Sequence, residues 1–113
     1  MNETAPSVNS STLPASASGE VVRLSATVRG HVQGVGFRYF THHTAHSIGS
    51  IAGMVRNGAD GTVEVEAEAS DRAPLEKLLH DLHIGPGPAQ VTEVTAIWED
   101  ATSPRYSGEF QVA

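Results

Sequence analysis

Between Val21 and Arg29 apolar and polar side chains alternate without a break, and the run ends in Gly30-His31-Val32-Gln33-Gly34-Val35-Gly36. Beyond Gly36 the apolar spacing changes from two to three and four. A change of period across a glycine-rich stretch constrains this chain more than any other feature, because it requires a strand, a tight turn and a helix packed back on that strand. Val22, Leu24, Ala26 and Val28 share one face and Arg23, Ser25, Thr27 and Arg29 the other, so the strand is covered on one side. Phe37, Phe40, Thr44, Ala45 and Ile48 fall on one helical face, and Gly49 closes the helix. Strand-to-helix turns bind anions. Glycines admit positive φ and leave no β-carbon between amides and ligand, and the first-turn N–H groups carry the positive end of the helix dipole. Arg38, one turn in, adds a permanent charge and a planar fork for two phosphate oxygens.

The remainder of the chain follows the same logic. A second strand is predicted from Ile51 to Asn57, and the turn Asn57-Gly58-Ala59-Asp60-Gly61 leads to a third from Thr62 to Ala69. There Val63, Val65, Ala67 and Ala69 face in, and Glu64, Glu66 and Glu68 form a wet face. Ser70 or Asp71 caps a second helix that tolerates Pro74 in its first turn, buries Leu75, Leu78, Leu79 and Leu82, and stops at Gly85-Pro86. A last strand spans Val91 to Glu99, with Phe110 to Val112 as a short terminal extension. The order βαββαβ with right-handed crossovers predicts an α+β, ferredoxin-like α/β sandwich: a four-stranded antiparallel sheet with two helices on one face. Residues 1–19, rich in Ser, Thr, Ala and Pro, bury too little surface to offset the entropy of ordering and are expected to be a disordered tail before a single domain at 20–113.

Composition narrows the function. A net charge of −6 with only 7 basic residues argues against nucleic acid as a partner, since counterion release needs a basic face. Arg29, Arg38 and Arg56 nevertheless lie within or beside the motifs, which suits a small anion. The absence of cysteine removes disulfides, thiolate nucleophiles and cysteine metal sites. No apolar run reaches bilayer-spanning length, and no secretory or transit signal is apparent, so no membrane partner and a cytoplasmic location are expected.

Two common phosphate loops do not fit: a dinucleotide fingerprint needs glycine where Tyr39 stands, and a P-loop needs Lys then Ser or Thr where Phe37 and Arg38 stand. The stretch instead resembles the signature of the acylphosphatase family, Gly-x-Val-Gln-Gly-Val-x-Phe-Arg, filled here by Gly30, Val32, Gln33, Gly34, Val35, Phe37 and Arg38. A second family motif is matched by Gly53, Val55, Arg56, Asn57, Gly61 and Val63. Met54 replaces its usual aromatic, and Ala69 stands where a closing glycine is expected. The resemblance implies the ferredoxin-like fold, catalytic roles for Arg38 and Asn57, and a phosphate cradle made of the main chain from His31 through Val32, Gln33, Gly34 and Val35 to Gly36. It also implies hydrolysis of small acyl phosphates to a carboxylate and inorganic phosphate by a monomer, with no metal or other cofactor. A non-catalytic module that senses phosphate or a phosphorylated metabolite is the alternative.

The histidines invite a metal reading that the pattern does not support. His42 and His46 are four apart on the first helix, but no third ligand is visible, and a solvated face is expected. His80 and His83 suit the C-terminal dipole of the second helix.

Overall fold

The computed structural model describes residues 20–113, so the expected tail lies outside the described residues. The elements are β1 (Val21–His31), α1 (Phe37–Ile48), β2 (Ala52–Asn57), β3 (Val63–Ala69), α2 (Arg72–Ile84), β4 (Gln90–Ala101) and β5 (Phe110–Val112). The sheet order is β4-β1-β3-β2-β5. β1 pairs antiparallel with β3 (Leu24 opposite Ala67, Val28 opposite Val63) and with β4, and β2 pairs antiparallel with β3 (Val55 opposite Val65). The ferredoxin-like α+β arrangement is therefore present, with one correction. Phe110–Val112 is a fifth strand, parallel to β2, where four antiparallel strands were expected. Buried Phe110 seats it, and the bonds Gly53 N–H to Glu109 O and Ala113 N–H to Val55 O, both 2.9 Å, hold its two ends.

The core lies between the helices and one sheet face. Leu24, Val28, Val55, Val63 and Val65 meet Phe37 and Ala45 of α1 and Leu75, Leu78 and Leu82 of α2. An isolated helix of 13 residues is marginal in water, so the leucine stripe holds α2 in place, each buried leucine contributing roughly 1.5–3 kcal/mol. On α1 the buried stripe is Phe37, Thr41 and Ala45, with Thr44 half-buried. Thr41 is a core position outside the face expected from the sequence. Its hydroxyl is satisfied locally, donating to the Phe37 carbonyl at 2.9 Å.

A second correction concerns the wet face of β3. Glu64 and Glu66 are partly exposed, but Glu68 is 2% exposed. The segment between β4 and β5 folds over it, and Arg105 and Tyr106 donate main-chain N–H groups to its carboxylate at 3.0 and 3.1 Å. Arg23, opposite Glu68 in the register, donates Nε–H to it at 2.7 Å.

Among the described residues no helix is long and apolar enough to cross a membrane, and no cluster of three metal-ligating side chains occurs. His42 is half-buried beside Phe110, with ring centroids 6.4 Å apart, and His83 bonds through Nδ1 with the Leu79 carbonyl at 2.9 Å.

Candidate active site

The strand order decides what meets at the site. β1, β2 and β5 all end at the same edge of the sheet, where β3 and β4 begin. β1 and β2 are separated only by β3, a gap of about 10 Å at two strand spacings. The glycine-rich loop that follows β1 and the Asn57 that ends β2 are thereby brought side by side.

The loop is built so that its main chain faces outward. At Gly30 the β1–β4 register shifts, φ is +128°, and a β-carbon would overlap the Gln90 carbonyl oxygen, so only glycine lets β4 pass this closely. Val32 is 1% exposed and anchors the loop in the core, which leaves its amide rather than its side chain for a ligand. Val35 packs against the core edge, His31 is exposed, and Gly34 adopts φ of +75°. Gly36 is the N-cap of α1 in the left-handed conformation, φ 81°, and accepts the first helical bond from Phe40 N–H at 2.9 Å. Among the described residues none of the N–H groups from Val32 to Gly36 donates to another main-chain atom, and the first turn of α1 carries no acidic side chain. These are conditions for an anion cradle: unspent donors, a helix N-terminus and no competing carboxylate.

Arg38, half-buried one turn into α1, is held by a bond from Nη1 to the Ala113 main-chain oxygen at 3.0 Å. Because Ala113 in turn bonds Val55, two residues before Asn57, the guanidinium is tied to the same edge as the Asn57 carboxamide. The Asn57 side chain is exposed and makes no hydrogen bond among the described residues. The turn after it is closed by Gly58 N–H to Thr62 O at 2.8 Å and by the Thr62 hydroxyl donating to Asp60 Oδ1 at 2.6 Å. That hydroxyl bond, with main-chain donors and nearby Arg29, holds the Asp60 carboxyl below the usual carboxylate range. The Gln33 side chain spans from loop to turn, donating to the Gly58 and Thr62 carbonyls.

The loop residues His31 to Gly36, Arg38 and Asn57 thus lie at one end of the sheet. The Ala113 contact to Arg38 and the bridging side chain of Gln33 were not foreseen. The first depends on β5 pairing with β2, and no motif marks it. The sequence assigns Gln33 only a main-chain role in the cradle, and its side-chain reach to the turn depends on β3 lying between β1 and β2.

Chemically, this edge can hold a compact oxyanion through main-chain donors and one guanidinium, with a carboxamide beside it to orient a water molecule. The comparisons with known proteins point the same way. The family model for acylphosphatase matches residues 24–112. The acylphosphatase of Salinibacter ruber is 46% identical over 83 residues, 74% of this chain and 85% of that protein. Among solved structures, the acylphosphatase from Bacillus subtilis superposes with a TM-score of 0.73 at 30% identity, covering 81% of this chain and 98% of that one. The Coxiella burnetii acylphosphatase gives 0.73 at 31% identity, covering 90% and 99%. With the family model spanning most of the chain and the relatives matched over most of their own length, this chain belongs to the acylphosphatase family.

Proposed function

We propose that the protein hydrolyses the carboxyl–phosphate bond of small acyl phosphates, releasing a carboxylate and inorganic phosphate. The observation that carries this reading is the convergence, at one sheet edge, of unspent loop amides, the Arg38 guanidinium and the exposed Asn57 carboxamide. A carboxylate is a stable leaving group at neutral pH, so the departing acyl oxygen needs no general acid. What remains is to place water in line and to stabilise charge on the transferring oxygens.

In this scheme the main-chain donors from His31 to Gly36 and the Arg38 fork grasp the phosphoryl oxygens. The Asn57 amide orients the attacking water on the far side of the phosphorus from the acyl oxygen. The bond between phosphorus and that oxygen breaks with its electron pair going to the carboxylate, while the water oxygen joins phosphorus and releases its proton to solvent. The scheme uses no metal. A single chain acting in the cytoplasm belongs to the same proposal. A module that merely senses phosphate would have no use for a water-orienting amide.

The test is phosphate release from benzoyl phosphate by the parent and by Asn57→Ala. We expect turnover by the parent and a kcat lowered at least about a hundredfold in the variant, with inhibition by inorganic phosphate retained. Equal rates would refute the role of Asn57, and tight phosphate binding without turnover by the parent would refute the reaction.

A further inference from the structure

Gln33 Nε2 lies 2.8 Å from the Gly58 carbonyl oxygen and 2.9 Å from that of Thr62. Both neighbours are acceptors only, so the atom between them must be the amide nitrogen, and its two hydrogens are both used. The anchors at either end are firm. Gln33 follows Val32, which is 1% exposed, and Thr62 is 5% exposed, accepts Gly58 N–H and caps Asp60. The Gly58 carbonyl belongs to the residue directly after Asn57. One side chain therefore clips the anion loop to the turn that carries the carboxamide, across the end of β3.

We propose that Gln33 is a positioning residue for the hydrolysis, acting through Asn57: its amide sets where the Asn57 carboxamide stands over the cradle, and hence where the attacking water is held. The inference rests on the site reading above. The Asn57 side chain is exposed and without a partner among the described residues, and its main chain, paired with Val63, runs directly into the clipped Gly58, so the bond from Gln33 to Gly58 helps to set where the carboxamide stands. Displacement by about an ångström is enough to lower an in-line reaction up to a hundredfold while leaving the phosphate contacts in place.

The experiment is a cycle of Gln33→Met, Asn57→Ala and the double variant, assayed with benzoyl phosphate, with inorganic phosphate as competing inhibitor and a thermal melt for each protein. Met matches the length of Gln and lacks the donor. For Gln33→Met we expect kcat to fall about ten- to a hundredfold with phosphate inhibition changed less than about threefold, and no further fall when it is added to Asn57→Ala. Equal losses of kcat in both backgrounds, or weakened phosphate inhibition with kcat unchanged, would overturn the proposal. If Asn57→Ala alone keeps the parent rate, the site reading fails instead, so the two failures are distinguishable. Gln33→Glu decides the matter if Gln33→Met melts below the assay temperature. Its carboxylate cannot donate, so its deficit should shrink as pH falls toward the ordinary glutamate value of about 4.3, where a proton restores one donor. A deficit independent of pH would refute the clip.

Discussion

Arg23 and Arg38 show how one residue type serves opposite ends of one fold. Arg23 projects from near the start of β1 onto the outer face of the sheet, is 4% exposed, and is enclosed by Glu68 and Glu99 with the Ser103 carbonyl nearby. Burial alone would lower its pKa, but the two carboxylates outweigh it and hold the charge. Arg38 stands at the end of the sheet, half-buried, and among the described residues it pairs with no side-chain carboxylate, only with one main-chain oxygen. A guanidinium whose donors face fixed carboxylates is a structural bolt. One held by a single main-chain bond keeps most of its fork for a ligand.

That contrast is broken or sharpened by substitution. The largest effect expected is on stability. Arg23→Met leaves Glu68 buried without its charged partner and should destabilise the fold by about 3–5 kcal/mol in urea unfolding, while turnover per folded molecule stays at the parent value. A loss of activity in the folded fraction would mean the two ends are coupled. Arg38→Ala should do the reverse. It should lower kcat/KM on benzoyl phosphate by about two to three powers of ten with little change in the urea midpoint, and Arg38→Lys should recover little because a point charge cannot replace the planar fork. Unchanged hydrolysis would remove Arg38 from the mechanism.

Smaller effects should come from pH, and the groups around the Arg23 end supply two of them. Burial would raise the Glu66 carboxyl, but donation from Tyr106, Arg105 and Ser25 outweighs it and holds the group below its ordinary value of 4.5. Its contribution is therefore present above about pH 4.5 and lost as pH falls through the lower folded-state value. Burial and the Glu66 carboxylate push the Tyr106 hydroxyl up to about 12. The folded state keeps this proton where the unfolded chain, titrating near 10, has lost it, so stability is full below about pH 10 and declines toward 12. Melting temperatures across pH should show both limbs, and Tyr106→Phe should remove the tyrosine component of the alkaline one. Smallest of all, incubation with a chelator should leave hydrolysis unchanged, and abolition would end the scheme that uses no metal.

Much of the fold was legible because its signals are local. Alternation in β1 and β3, the three-and-four spacing in α1 and α2, and the glycine that follows each helix are short-range consequences of strand and helix geometry. Glu68 was misread for the converse reason. Its place in the alternation is right, but whether an outward face is wet depends on a segment more than thirty residues later that folds across it. The fifth strand escaped likewise, since a three-residue run has too little pattern to announce a parallel pairing.

At the site the division is the same. The sequence by itself determined the kinds of group available: glycines that free the main chain, a guanidinium one turn into a helix and an asparagine before a turn, because each follows from residue type and near-neighbour spacing. Only the tertiary structure decided that these groups lie at one end of the sheet, because the nearness of Asn57 to the loop depends on β3 lying between β1 and β2 and on Gln33 reaching Gly58 and Thr62. Strand order and side-chain bridges are fixed by which surfaces bury together across the whole domain, and no short window of residues encodes that choice.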